Sequence, residues 1–335
     1  MSSDRLEALM NQAKVFIQAR RYEMAIVTFQ QALGIAPGSI EVLSQYSKAL
    51  AQISRDQEAC KIFEGALEVF PDDVDLLRNY GTALSKKNQH NKAIEILEKA
   101  LTIKPNDVKL LGCYSNALKQ AGRLNESYRI SEKLLKIEPE NIITLNSYAQ
   151  NLISMGQHEE ALQFFECSLK IQPNDAITLS RHANTLASTG QHEKALQFFE
   201  RSLKIQPDNA ITLSRHANTL ASTGQHEKAL QFFERSLQIQ PNDAITLCRY
   251  ADTLASTGQH EKALQSFERS LQIQPNDAIT LSRHADTLAS TGQHEKALQF
   301  FERSLQIQPD NAITLCLHAD TLASTGQHEK ALQSF

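Results

Sequence analysis

Tryptophan is absent from this chain, and only 6% of its 335 residues are aromatic. No apolar run approaches the roughly 20 residues that a membrane helix needs, and the opening MSSDRLEALMNQ lacks the apolar stretch of a signal peptide. A net charge of −4 gives no basic excess, which argues against nucleic acid or a membrane surface as partner. The five cysteines (Cys60, Cys113, Cys167, Cys248 and Cys316) are odd in number, far apart and in no CxxC pair. That excludes a disulfide framework and predicts reduced thiols in a cytoplasmic protein. Glycine-rich phosphate loops and HExxH are missing too, so no catalytic residue, cofactor or metal is expected.

What the chain does have is spacing. Its nine prolines fall at Pro37, Pro71, Pro105, Pro139, Pro173, Pro207, Pro241, Pro275 and Pro309, each 34 residues after the last. Proline removes a backbone donor and clashes with the preceding helical turn, so each one closes a helix. A stop recurring at that period predicts one stacked unit copied along the chain. The frame begins at residues 6, 40, 74, 108, 142, 176, 210, 244, 278 and 312, the tenth copy being incomplete, and predicts a single array over 1–335.

The unit 176–209 shows what a copy builds. Ile177, Leu179, Ala183, Leu186 and Ala187 recur at helical steps in its first half, after an Asn174–Asp175 pair suited to capping. Gly190 then offers a left-handed helix end. A second stripe follows, formed by Ala195, Leu196, Phe198, Phe199, Leu203 and Ile205. Two antiparallel helices result, and such a hairpin cannot bury both stripes without neighbours. The columns are strict. The fourth position is leucine from Leu9 to Leu315, and the eighth is always small, from Ala13 through Gly81 to Ala319.

On these columns the chain resembles the tetratricopeptide repeat family. The resemblance rests on the small eighth position, the large apolar eleventh (Phe16, Leu50, Leu84) and the alanine twentieth (Ala25, Ala59, Ala93). It is completed by the aromatic twenty-fourth (Phe29, Phe63, Phe165, Phe199), the small twenty-seventh (Ala32, Ala66, Ala100) and the closing proline. Leucine stands where the family has tryptophan, and the twenty-seventh position is serine from Ser168 onward. The resemblance implies an all-α fold, a right-handed α-α superhelix of antiparallel hairpins. It also implies a non-enzymatic scaffold or adaptor that binds a protein or peptide in a concave groove. The alternative is the substrate-recognition arm of a larger enzyme such as a glycosyltransferase.

Two histidine columns, one through His158 and His192 and one through His182 and His216, invite a metal reading. Packed helices lie about 8–10 Å apart, too far for equivalent histidines to share an ion that binds nitrogen at about 2 Å. Packing is the expected role. Ser282, His284 and Asp286 fail as a triad, because residues two apart on a helix point away from each other.

With positions 4, 8 and 11 in the core, positions 2, 5, 9, 12 and 13 are expected to line the groove. The candidate residues in its early part are Lys14, Lys48, Arg78, Lys86, Asn116 and Lys119, with Lys109 beside them. Further on come Asn146, Gln150, Asn184 and Asn218, then Asp252, Asp286 and Asp320. Side-chain amides both donate and accept, which suits an extended peptide backbone. The charge contrast predicts an acidic-leaning ligand early and a basic or neutral one beyond repeat seven. The repeat 108–141 carries Ser127, Ser131 and Leu134 in place of small–aromatic–small, so a softer joint is expected there. Because the chain stops at Phe335 inside a helix, a longer parent protein or end-to-end self-association through the uncapped last repeat is expected.

Overall fold

The computed structural model describes residues 2–53 and 55–333, and every regular element among them is an α-helix. Twenty helices pair into ten hairpins. The first helices begin at Ile40, Val74, Val108, Ile142, Ala176, Ala210, Ala244, Ala278 and Ala312, after a longer opening helix over Ser2–Gln18. The chain divides into two compact units, one ending at Gln172 and the other beginning at Pro173. Ser334 and Phe335, and with them the chain end where self-association is expected, lie outside the described residues.

Local chemistry sets the hairpin ends. Asp175 accepts from the Thr178 amide at 2.8 Å, and Asp107 accepts from the Leu110 amide at 2.9 Å. Each satisfies a donor that the first helical turn leaves orphaned. Gly190 takes φ +79°, and the Gln191 amide then reaches back to the Leu186 carbonyl at 2.9 Å. Side-chain-bearing residues adopt that left-handed conformation at Arg20 and Asn88, and they pay the steric cost that glycine avoids.

Within each unit, aromatic residues of the second helix fill the space between hairpins. Phe29, Phe63 and Phe165 in the first unit, and Phe199, Phe233, Phe267 and Phe301 in the second, are all fully buried. The eighth position is small because the paired helix is close: a Cβ on Gly81 would come within 2.6 Å of Leu97 Cγ. The seventh position, where packing was expected for the histidines, joins neighbouring repeats. Tyr114 donates to Glu98 at 2.7 Å, Tyr80 donates to Glu64, and Tyr250 donates to Glu234 at 3.0 Å. Where histidine replaces tyrosine, burial replaces the hydrogen bond. His216 stacks edge-on against Phe232 at 4.5 Å and lies 5.9 Å from Phe199.

Three further ties recur. The serine at position twenty-seven donates to the carbonyl opening its own repeat, as Ser202 does to Ala176 at 2.8 Å and Ser236 to Ala210 at 2.8 Å. A basic residue at position twenty-six reaches the preceding repeat's proline carbonyl: Lys99 to Pro71 at 2.6 Å, Arg235 to Pro207 at 3.2 Å. A threonine at position three bonds the serine five places into the preceding repeat, Thr212 to Ser180 at 2.9 Å and Thr246 to Ser214 at 2.7 Å.

The irregular repeat 108–141 is filled by polar chemistry. One apolar cluster runs from Met10 to Leu118, and another surrounds Tyr148 and Phe165. Between them Asn151 donates to Ser131 at 2.6 Å and to the Ser127 carbonyl at 3.2 Å, while Ser115 and Ser127 hydroxyls meet at 2.9 Å. All four residues are buried. Asn151 thus bonds the Ser131 hydroxyl that stands where other repeats bury a phenylalanine.

Candidate interaction surface

At 3.6 residues per turn, positions 2, 6, 9 and 13 of a first helix fall within one narrow stripe. Position 5 lies to one side of it, toward the next hairpin. In the second unit the stripe of the helix Ala176–Ser188 is therefore Ile177, Arg181, Asn184 and Ser188. It repeats as Ile211, Arg215, Asn218 and Ser222, then as Ile245, Arg249, Asp252 and Ser256.

This geometry corrects the expected groove. Position 5 is internal: Ser180, Ser214 and Ser282 are buried, the first two in the threonine ties described above. Asn146, expected to face a ligand, is only 4% exposed and is not a surface residue. Position 6, which sequence reasoning passed over, supplies instead a column of arginines at 181, 215, 249 and 283. The signal was present as four arginines at 34-residue spacing, but assigning their face required the packing of position 5.

The isoleucines at position 2 stand in solvent, Ile177 at 50%, Ile211 and Ile245 at 56% and Ile313 at 74% exposure. Arg181, Arg215 and Arg249 beside them are half-buried, and Arg283 is exposed. Burial lowers the pKa values of Arg181 and Arg215, and for Arg215 the neighbouring Arg181 and Arg249 push in the same direction. Among the described residues Arg181, Arg215 and Arg249 make no ion pair, whereas Arg283 Nη1 lies 3.0 Å from Asp252 Oδ2 in the preceding repeat. Burial nevertheless pushes the Asp252 carboxyl up to about 6, against the pull of Arg283 and Arg249. Asp286 is raised by burial as well, and the next repeat offers Leu317 where an arginine would stand. Asp320 is exposed.

The first unit is arranged differently. Lys14 pairs with Glu41 at 3.5 Å and Arg78 with Asp75 at 2.5 Å, so part of its expected positive charge is neutralised internally. Lys48, Lys119 and Gln150 are half-buried, and Lys86 is exposed. Lys109 and Asn116 line a cavity of about 560 Å³ together with Gly112, Leu134, Asn141 and Ile143. Ile143 is 80% exposed. Among the described residues no group of three or more His, Cys, Asp or Glu is placed to hold a metal ion, and no helix is long and apolar enough to cross a membrane.

Family models described as Tetratricopeptide repeat match residues 140–208, 174–242, 208–276 and 276–335, and a second such model matches 8–139. No curated protein matches the chain. Among solved structures it is similar to a chain in the crystal structure of the APC/C hetero-tetramer Cut9–Hcn1. The TM-score is 0.68 at 15% identity, over 90% of this chain and 59% of that one. It is also similar to a tetratricopeptide repeat protein from Parabacteroides merdae, with TM-score 0.58 at 18% identity over 74% and 98% of the two chains. The chain thus spans under two thirds of the first structure's length, and at these identities the likeness concerns the fold.

Proposed function

The chain belongs to the tetratricopeptide repeat family, and on that premise we propose that it is a non-catalytic protein-interaction scaffold. Its binding surface is the 2–6–9–13 stripe of the first helices, which holds an extended segment of a partner protein. The observation that carries this reading is the isoleucine column. Solvent holds a large apolar side chain at the same address in every repeat of the second unit, and a face of that kind gains free energy when a partner covers it. The amides of Asn184 and Asn218, each directly after the core alanine column at Ala183 and Ala217, add donors and acceptors for a peptide backbone.

A photocrosslinking amino acid placed at Asn218, on the stripe, and at Glu200, on the exposed side of a second helix, tests the reading. Stripe-specific adducts with protein partners are expected. Equal labelling from both positions would remove the stripe as the binding surface.

A further inference from the structure

The ion pair between Arg283 and Asp252 shows what a position-6 arginine does when a carboxylate is available. It reaches across to position 9 of the preceding repeat and closes to 3.0 Å. One and two repeats earlier the equivalent positions pair Asn218 with Arg249 and Asn184 with Arg215 in the repeat frame. An amide is isosteric with the carboxylate but carries no charge, so it cannot neutralise the guanidinium. Arg215 is half-buried with only Arg181 and Arg249 as charged neighbours, Arg181 is half-buried with no ion pair among the described residues and only the attraction of Asp175, and Arg249 shares the neighbouring Asp252. Partly desolvating a cation without a counter-charge is unfavourable, and an incoming anion relieves that cost.

We propose that the Arg181–Arg215–Arg249 column binds an acidic, extended segment of a partner protein, one carboxylate per repeat, with apolar side chains of that segment against Ile177, Ile211 and Ile245. This names the ligand chemistry of the surface proposed above and rests on that reading. The chain itself shows the chemistry of the bound state: a ligand carboxylate supplies to Arg215 and Arg249, from the open side of the stripe, the charge that Asp252 supplies to Arg283. Adjacent first helices in this unit touch, so with helix spacings near 8–10 Å and an extended rise of about 3.3 Å the acidic residues recur about every third position.

Phosphate groups of a single-stranded nucleic acid would also suit arginine. The stripe, however, offers isoleucine where such a ligand is met by aromatic stacking platforms, and the chain has no basic excess. The column also ends in neutralised or acidic positions, Arg283 paired with Asp252 and then Asp286 and Asp320. That limits the acidic stretch to three repeats and gives the ligand a direction.

The test uses the full chain and three labelled peptides of one length. The first places Asp at every third residue with Val and Leu between, the second has Asn for each Asp, and the third has Lys. A labelled single-stranded oligonucleotide is the fourth probe, and binding is read by fluorescence anisotropy. The acidic peptide is expected to bind at least tenfold more tightly than its Asn analogue, to weaken with added salt, and to lose about tenfold on Arg215→Gln/Arg249→Gln. The comparison of Asp and Asn peptides needs no change in the protein, so a folding defect in the variant does not obscure the answer. Equal binding of the Asp and Asn peptides, with photocrosslinks still at Asn218, overturns the acidic ligand and leaves the stripe standing. Absence of crosslinks at Asn218 for any peptide removes both readings. Tighter binding of the oligonucleotide assigns the column to nucleic acid instead.

Discussion

Arg283 and Asp252, on successive first helices, close a 3.0 Å ion pair that the two preceding repeats lack because asparagine stands at position 9. A single-atom exchange, amide nitrogen for carboxylate oxygen, thereby decides whether an arginine of the column is occupied by its own chain or free for a ligand. The chemistry of the surface is written at position 9 and read at position 6.

That relationship makes binding sensitive to pH. Asp252 is faced by Arg283, Arg249 and Asp286, and burial still holds its carboxyl at about 6. Protonation as pH falls through 6 releases Arg283. Affinity for the acidic peptide is therefore expected to rise between pH 7.5 and pH 5.5 in the native chain. Asp252→Asn should show the higher affinity at both values. An identical pH profile for the two proteins would show that Asp252 does not control access to Arg283.

Stability has its own pH dependence. His216 and His284 are buried against phenylalanines, and burial lowers both to about 4 from an ordinary 6.5. The unfolded chain thus binds more protons between those values, so stability is complete above pH 6.5 and falls as pH drops toward 4. Asp252, raised from 3.8, acts with the opposite sign over part of that window, but it is one group against two. Tyr250 fills the same column in the intervening repeat through its bond to Glu234. His216→Tyr/His284→Tyr is accordingly expected to narrow the difference in urea midpoint between pH 7 and pH 5, and an unchanged difference would place the acid sensitivity elsewhere.

The polar cluster in the repeat 108–141 joins three helices through buried hydrogen bonds and is expected to hold that repeat together. Asn151→Ala removes donors to Ser131 and to the Ser127 carbonyl in a buried site, at an expected cost of about 1–3 kcal/mol. Denaturant unfolding of the variant measures this. Native-state hydrogen exchange addresses the softer joint expected from sequence: protection in 108–141 should match that in 176–209, and lower protection there would mean that the hydroxyls do not compensate for the missing aromatic.

Gly81 separates propensity from packing. Alanine is better than glycine inside a helix by about 1 kcal/mol, yet a Cβ here meets the fully buried Leu97 at 2.6 Å. Overpacking costs about 1–3 kcal/mol, so Gly81→Ala is expected to lower the melting temperature and Gly81→Ala/Leu97→Val to recover most of the loss.

The proline period made the fold legible because one stop signal fixes the register of every other residue. Asp175 and Gly190 needed only the local chemistry of helix ends. The surface was half legible. Asn184 and Asn218 follow from helical periodicity alone, but Asn146 and the arginine column do not. Whether position 5 or position 6 faces a ligand depends on which flank the next hairpin covers. The threonine at position 3 settles that by bonding the position-5 serine, a contact between repeats that no pattern within one repeat contains. The serine network around Asn151 was hidden for a similar reason, since its partners come from three separate helices.

If an unpaired position-6 arginine is the ligand site, Asn218→Asp should close it. The substitution places beside Arg249 the carboxylate that Asp252 places beside Arg283, without removing any arginine. Measured by anisotropy with the acidic peptide, affinity should fall about tenfold, while the Asn analogue of the peptide should be unaffected. Undiminished affinity for the acidic peptide would show that Arg249 does not hold its carboxylates.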